Sequence, residues 1–263
     1  MKKIHILALS IAIALFGCKN NEHKNNPENN PENTVKKEDV KEVVKTVDSH
    51  TSEISLDWNG TYHSFFPCAS CPGILTTVKL NNDKTFEKSD LYLGTENGYF
   101  DSKGTFSFTK DGGKIILKSE KASENQTTLY AVGENKLTLL DSEGKKTASE
   151  FAEMYVYKKA SNTPIDFSNK VIKGFLTFGH EVSSFRPCDA ENSYWITDPS
   201  NKLRALYYKE IGNQKTPYTP VMAELTVKNI GKATEGFAEQ YESVLETVAI
   251  KSVAAITPEN YCK

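Results

Sequence analysis

ILTTVKLNNDKTF, residues 74–86, has the pattern of two β-strands joined by a turn. Apolar and polar residues largely alternate from Ile74 to Leu80, as they do in a strand with one buried face. The polar NNDK that follows is typical of a hairpin turn, and a new strand begins at Thr85. This stretch therefore predicts a β-hairpin.

Comparable stretches recur along residues 56–159, and polar turns separate them. They are TFSFTK, KIILK, TLYAV, KLTLL and EMYVYK, with ENG, DGG, GEN and SEGK among the turns. Short strands at regular spacing indicate a sandwich or a barrel, and closure into an up-and-down barrel removes exposed strand edges. We expect about eight strands, no helix and one small all-β barrel in this part of the chain.

Residues 160–169 form a polar, proline-containing break that predicts a linker. Beyond it, residues 170–263 contain the strand-like stretches KGFLTFGHEVSSF, SYWIT, MAELTVKNI and ETVAIKSVAAI, and the stretch SNKLRALYYKEI with helical spacing. Asp198 or Ser200 is placed to cap this helix. Strands, a helix and two more strands are the order of an OB-like barrel. We expect two domains that share only a short linker and unfold separately.

The N-terminus has the features of a secretory signal over residues 1–17. Two lysines precede an apolar run that is too short to span a bilayer. Cys18 directly follows the small residue Gly17, and this arrangement resembles the lipobox of bacterial lipoproteins, in which the cysteine is lipidated. Lys19 in the next position resembles an outer-membrane sorting signal. We therefore expect Cys18 to carry lipid and to anchor the chain in the lipid bilayer of the outer membrane.

Residues 18–55 have the composition of a tether. NNPENNPEN and its neighbours offer no apolar surface to bury, so we expect a disordered segment. The whole chain contains 32 Lys and Arg against 34 Asp and Glu, and two of the lysines lie in the signal. The mature chain is thus mildly acidic and lacks the basic stripe of a nucleic-acid binder, which excludes nucleic acid as the expected partner.

Cys68 and Cys71 form a C-x-x-C motif, and three interpretations of it stay open. A catalytic redox motif owes its low thiol pKa to a helix N-terminus, whereas Pro72-Gly73 here lead into a strand. Two thiolates suit Cu(I), and His63 lies nearby in sequence, but a structural zinc site needs four ligands. A disulfide across so short a loop contributes only about 2 kcal/mol. We favour an exposed, redox-responsive disulfide over a Cu(I) contact or an inert staple.

Cys188 and Cys262 are the two cysteines of the second domain. In an oxidising envelope, a leftover pair within one domain is most simply a disulfide. The bond would close a long loop, which a chain-entropy estimate values at about 4 kcal/mol at most. It would also pin the C-terminus, which otherwise frays. We therefore predict a Cys188–Cys262 disulfide.

Sequence motifs for catalysis are weak. His180-Glu181 begins like HExxH, but Ser184 stands where the second histidine is required. The stretch that contains Asp189 and Glu191 is more typical of a solvated loop than of a catalytic carboxylate pair. The sequence contains neither a glycine-rich phosphate loop nor a G-x-S-x-G motif. We expect a protein that is not an enzyme and requires no cofactor, with Cu(I) as a candidate ligand of the first cysteine pair.

Four short blocks of the first domain are distinctive: WNGTY at residues 58–62, PCASCPGI at 67–74, NDKTF at 82–86 and GENKL at 133–137. Together they resemble the N-terminal domain of the NlpE family. The resemblance implies a small lipocalin-like barrel followed by an OB-like domain that carries a disulfide. It also implies an envelope lipoprotein linked to copper resistance, surface sensing and envelope stress.

Three functional hypotheses follow. The leading one is a monomeric, membrane-anchored lipoprotein in copper homeostasis and in envelope-stress or surface sensing, which signals through an envelope-stress sensor protein. The second is a lipocalin-like carrier whose barrel holds a small apolar ligand. The third is a passive structural or adhesion module. A barrel interior filled by side chains would exclude the carrier, and a copper or stress phenotype would separate the first hypothesis from the third.

Overall fold

The structure, a computed structural model, describes residues 51–121, 127–212 and 216–262. The expected signal peptide, the lipidation site Cys18 and most of the tether lie outside these ranges. The described residues form two closed β-barrels. None of their helices is long and apolar enough to cross a membrane.

The first barrel has eight antiparallel strands whose spatial order follows the chain. They are β1 (Gly60–Phe66), β2 (Ile74–Leu80), β3 (Thr85–Tyr92), β4 (Tyr99–Phe108), β5 (Lys114–Ser119), β6 (Thr127–Gly133), β7 (Lys136–Leu139) and β8 (Val156–Lys159). The barrel closes where β1 pairs with β8, with Tyr62 opposite Lys159. This up-and-down barrel, including the hairpin of β2 and β3, confirms the predicted all-β fold.

Side chains fill the interior of the first barrel. Tyr62 of β1 lies opposite Val78 of β2, and both are fully buried. Tyr130 and Tyr157 meet edge to face inside the barrel, where the Tyr130 hydroxyl donates to the Tyr157 hydroxyl at 3.2 Å. Since protein interiors are close-packed, these side chains take the space that a carried ligand would need. The filled interior counts against the carrier hypothesis.

The last strand of the first barrel begins later than its sequence pattern predicts. EMYVYK predicts a strand throughout, but Ala152–Tyr155 form a 3₁₀ turn and the strand starts at Val156. The hydroxyl of Ser64 in β1 donates to the Met154 carbonyl at 2.8 Å. This contact satisfies a carbonyl group of the turn from a distant strand, which a local pattern does not reveal. A short helix, α1 (Ser52–Ser55), precedes the barrel.

The second barrel has the OB arrangement. Its elements are β9 (Val171–Gly179), β10 (Val182–Pro187), β11 (Tyr194–Thr197), α2 (Lys202–Ile211), β12 (Val221–Gly231) and β13 (Val244–Ala254), with a 3₁₀ turn at Phe237–Gln240. The strands close in the order β10-β11-β13-β12-β9, and β11 pairs with β13 in parallel. The helix lies between the third and fourth strands, which confirms the predicted OB-like domain with one helix.

Helix α2 is capped by the residues that the sequence suggested. The Leu203 N–H donates to Asp198 Oδ2 at 2.6 Å, and the Lys202 N–H donates to Ser200 Oγ at 3.3 Å. Leu203 and Tyr207 lie one turn apart and are both fully buried in the second core. The cap satisfies N–H groups that have no partner within the helix, and the buried pair holds the helix on the barrel.

The two barrels are joined by more than a linker. Six buried apolar side chains form what we call the inter-barrel cluster: Phe65, Leu91 and Leu93 from the first domain, and Phe175, Met222 and Ile256 from the second. Phe167, within the predicted linker, is itself buried in the core of the second barrel. The prediction that the domains share only a short linker is therefore wrong, because the outer faces of both barrels are partly apolar and pack together.

Candidate functional site

The C-x-x-C motif forms a surface turn between β1 and β2. A disulfide joins Cys68 to Cys71, whose Cα atoms are 5.2 Å apart. Both cysteines are partly exposed, and the neighbouring Pro67 and Pro72 are exposed. Strand β2 begins at Ile74, so a strand follows the motif as predicted and no helix N-terminus acts on the sulfur atoms. The geometry is that of a disulfide accessible to reductants, without the environment of a catalytic dithiol.

The glycine that follows the motif lets the turn close against the barrel. Gly73 is buried, and a Cβ atom at this position would lie 2.0 Å from Cζ of Phe65. Any side chain here would displace the phenyl ring, because packed interiors leave no space for such an overlap. Phe65 belongs to the inter-barrel cluster. The positions of the turn and of the cluster are therefore coupled.

The second disulfide fixes the C-terminal segment onto the same cluster. It joins Cys188 to Cys262, with Cα atoms 5.4 Å apart, and both cysteines pack against the cluster. The adjacent Tyr261 stacks on Phe65 with ring centroids 5.3 Å apart, and it contacts Phe175 at 5.8 Å. Since Phe65 belongs to the first barrel and Phe175 to the second, Tyr261 bridges the two barrels. The second disulfide thus lies beside this aromatic contact, and the turn of the first disulfide reaches it through Gly73 and Phe65.

His63 does not join the cysteines as a metal ligand. Its Nδ1 lies 2.9 Å from the hydroxyl of Thr77, its cross-strand neighbour. Burial, and then the charge of Arg186, lowers the pKa of His63 to about 3, so the ring is neutral at physiological pH. Among the described residues, no group of three His, Cys, Asp or Glu side chains is placed to hold a metal ion. Cys68 and Cys71 would therefore offer a metal only two protein ligands.

The remaining candidate residues are His180, Glu181, Asp189 and Glu191. His180 and Glu181 are exposed in the turn between β9 and β10, where Nδ1 lies 3.5 Å from Oε1. Asp189 is exposed, but Glu191 accepts a hydrogen bond from the Thr61 hydroxyl of the first barrel at 2.9 Å. The solvated-loop interpretation is therefore wrong for Glu191, because its carboxylate binds the other barrel. This role is structural.

The residues that join the barrels were missed by sequence reasoning. Phe65 and Phe175 occupy strand positions between core residues, and Tyr261 lies in the short C-terminal segment. One signal was present: β1 and β2 carry apolar residues on both faces, as Phe65 and Leu75 show beside the inward-facing set. A strand that is apolar on both faces is typically covered on both. That pattern predicts a second packing surface but not what covers it.

Comparisons of the amino-acid sequence with known proteins find similar lipoproteins. Residues 62–150 match the family described as NlpE N-terminal domain. The chain is 25% identical over 162 residues to Lipoprotein NlpE of Escherichia coli (strain K12), a match that spans 61% of this chain and 63% of that protein. It is 29% identical over 107 residues to the 17 kDa lipoprotein of Treponema pallidum (strain Nichols), spanning 38% of this chain and 69% of that protein.

Two solved structures are also similar. A lipoprotein from Shewanella oneidensis is 40% identical, with 42% of this chain and 95% of that chain covered and a TM-score of 0.37. The Cpx pathway activator NlpE from Escherichia coli is 21% identical, with 78% of this chain and 98% of that chain covered and a TM-score of 0.31. Residues 62–150, which make up most of the first barrel, thus match the NlpE N-terminal domain, and the chain is similar to Lipoprotein NlpE.

Proposed function

We propose that this chain is an envelope-stress lipoprotein that signals through a protein partner and catalyses no reaction. The observation that carries the proposal is the aromatic contact between the barrels, next to which the Cys188–Cys262 disulfide packs. A change in the thiol redox state of the envelope would act on this contact. The similar protein from E. coli is a Cpx pathway activator, and this similarity supports a signalling role for the present chain.

Loss of the second disulfide should have the larger effect on the contact between the barrels. Without the bond between Cys188 and Cys262, the C-terminal segment loses its covalent link to the second barrel, and Tyr261 is no longer held between Phe65 and Phe175. Apolar surface of the inter-barrel cluster then becomes accessible, and exposed apolar patches are typical protein-interaction sites. A sensor protein that binds this surface would read the loss of the disulfide.

The first cysteine pair is the proposed copper contact. When reduced, Cys68 and Cys71 present two soft thiolates on a partly exposed turn, and such ligands favour Cu(I). Zinc prefers four ligands, and the described residues supply no third one of the usual kinds. We therefore propose that binding of Cu(I) to this cysteine pair signals metal stress. The protein requires no cofactor for its fold.

The function is tested in the native host. A strain that lacks this chain should grow poorly with added copper and with dithiothreitol, and the intact gene should restore growth. Cys68→Ser with Cys71→Ser should fail to restore copper tolerance, whereas Cys188→Ser with Cys262→Ser should alter the dithiothreitol response. Normal growth of the deletion strain under both stresses would contradict the proposal and favour the passive structural or adhesion module.

Anchoring in the outer membrane is part of the proposal and has its own control. Cys18→Ala should leave an unprocessed precursor that does not partition into detergent, since stable membrane attachment requires the lipid. The variant should also fail to complement the deletion strain. Membrane fractionation of the wild-type protein would place it in the outer or the inner membrane.

A further inference from the structure

A cavity of about 220 Å³ lies between the outer faces of the two barrels. The wall from the first barrel includes His63 and Thr77, which are cross-strand neighbours in β1 and β2. The wall from the second barrel includes two cross-strand pairs of β9 and β10: Phe175 with Arg186, and Thr177 with Ser184. Hydroxyl groups and one guanidinium therefore face each other across a space that belongs to both barrels.

Arg186 brings a positive charge to this cavity. Its guanidinium lies 4.4 Å from the centroid of the Phe175 ring, and its Nη1 donates to the Ala190 carbonyl at 3.3 Å. Within the described ranges, no Asp or Glu forms an ion pair with it, and none lines the cavity. Burial lowers the pKa of Arg186, as expected for a charge removed from water. A guanidinium has five N–H donors, and the hydrogen bond to the Ala190 carbonyl uses one of them.

His63 lines the same cavity and has one buried polar atom without a partner among the described residues. Its Nδ1 is occupied by the Thr77 hydroxyl, whereas its buried Nε2 has no hydrogen-bond partner among the described residues. Buried polar groups in native proteins are nearly always paired, so an orphan of this kind calls for a specific explanation. The charge of Arg186, after burial, lowers the pKa of the His63 ring, and both side chains line the cavity.

We propose that the inter-barrel cavity binds a small free oxyanion of the phosphate or sulfate kind through Arg186, His63 and the hydroxyl of Thr177. The guanidinium fork matches the oxygen atoms of such anions and forms charge-assisted hydrogen bonds with them. The neutral ring of His63 can donate from Nε2 in one of its tautomers. No carboxylate of the described residues lines the cavity, although the charge of Asp189 acts on the lining residue Tyr261.

The bound anion would hold the two barrels together. Its ligands come from β1 on one side and from β9 and β10 on the other, so the complete site exists only while the barrels are packed. A ligand that binds only the packed state stabilises that state by mass action. The inference does not rest on the proposed signalling function.

Calorimetry and thermal unfolding of the mature chain in neutral detergent test this site. Sodium phosphate and sodium sulfate are titrated against sodium chloride at equal ionic strength. Wild-type protein should give saturable heat with at least one oxyanion and a concentration-dependent rise in Tm. Arg186→Gln should weaken binding by roughly tenfold or more, since charge-assisted hydrogen bonds are lost.

Arg204→Gln is the matched control. Arg204 and Arg186 are the two arginines of the chain, and each guanidinium lies 4.4 Å from a phenyl centroid, but Arg204 is exposed on α2 and does not line the cavity. This variant should bind the oxyanion as the wild type does. If Arg186→Gln does not fold, Thr177→Val should still weaken binding, and the NMR resonance of His63 Nε2 in the wild type should shift on addition of phosphate.

Three results would overturn the inference. The first is the absence of any saturable response to phosphate and sulfate in the wild type. The second is an equal response in the variants at positions 186 and 204, which would mean a general salt effect. The third is binding of phosphatidylglycerol vesicles that depends on Arg186 while free phosphate does not bind, because the site would then take a lipid headgroup instead of a free anion.

Discussion

Replacing Cys188 and Cys262 with serine should destabilise both barrels, by unequal amounts. The disulfide closes a loop with a sequence separation of 74, for which the chain-entropy estimate gives about 4 kcal/mol at most in the second barrel. The first barrel loses the stacking of Tyr261 on Phe65, and an aromatic pair of this kind contributes about 1 kcal/mol. For a domain of this size, that loss lowers the Tm by roughly 4–8 °C.

The two tryptophans of the chain report the barrels separately. Trp58 contacts Phe106 of the first barrel with ring centroids 5.6 Å apart, and Trp195 of β11 contacts Tyr241 at 5.4 Å. The variants Trp58→Phe and Trp195→Phe each leave one fluorophore. Fluorescence-detected thermal and urea unfolding, with and without the cysteine substitutions, then gives a transition for each barrel.

The control is Cys68→Ser with Cys71→Ser, which opens a much shorter loop and should cost about 2 kcal/mol in the first barrel. It should leave the Trp195 transition close to that of the parent. The reasoning is refuted if the second-domain substitutions lower the Trp195 transition but leave the Trp58 transition unchanged. Tyr261 would then not couple the two barrels.

Three further predictions concern single sites. Gly73→Ala should cost about 1–3 kcal/mol because its Cβ overlaps a phenyl ring, whereas Gly113→Ala, whose nearest neighbour lies at 4.0 Å, should show nearly the wild-type urea midpoint; equal midpoints would contradict this. Graded dithiothreitol should open Cys68–Cys71 before the second disulfide, since the first is a surface turn and the second packs against the inter-barrel cluster, and the reduced pair should bind Cu(I) in preference to zinc in native mass spectrometry. Failure of the reduced pair to take up Cu(I) would leave the motif a staple. The pKa of His63 is lowered from 6.5 to about 3, so the unfolded state binds more protons in this range and stability should fall as the pH decreases from 6.5 towards 3, by up to about 1.4 kcal/mol per pH unit. Urea midpoints across this range should show a flatter profile for His63→Gln, and an unchanged profile would mean that the ring is solvated.

Local patterns predicted the elements of both barrels well. The hairpin of β2 and β3 and the helix α2 were predicted from the repeat of apolar side chains along the chain. This repeat, alternate residues in a strand and every third or fourth residue in a helix, depends only on neighbouring residues. The cap of α2 was predicted for the same reason, since Asp198 acts on an N–H only five residues away. The late start of β8 was not predicted, because a hydroxyl from β1 supports the preceding turn from far along the chain.

The candidate site was only partly accessible from sequence. The cysteine pairs were identified by their spacing, by their number in each domain and by the expected oxidising compartment. The role of Gly73 was not, because its requirement comes from the ring of Phe65, whose approach depends on the closed turn. The neutral state of His63 also depends on burial between barrels, which the sequence pattern of one strand does not contain.

The amino-acid sequence by itself determined the two all-β domains, the helix and the cysteines available for disulfides, since these follow from short-range periodicity and from composition. The tertiary structure alone decided that Tyr261 bridges the barrels and that Arg186 faces His63 across a cavity. Alternation along a strand shows that it has two faces, but what covers the outer face depends on residues more than a hundred positions away. Only packing of the whole chain selects that partner, because its stability is the sum of many distant contacts.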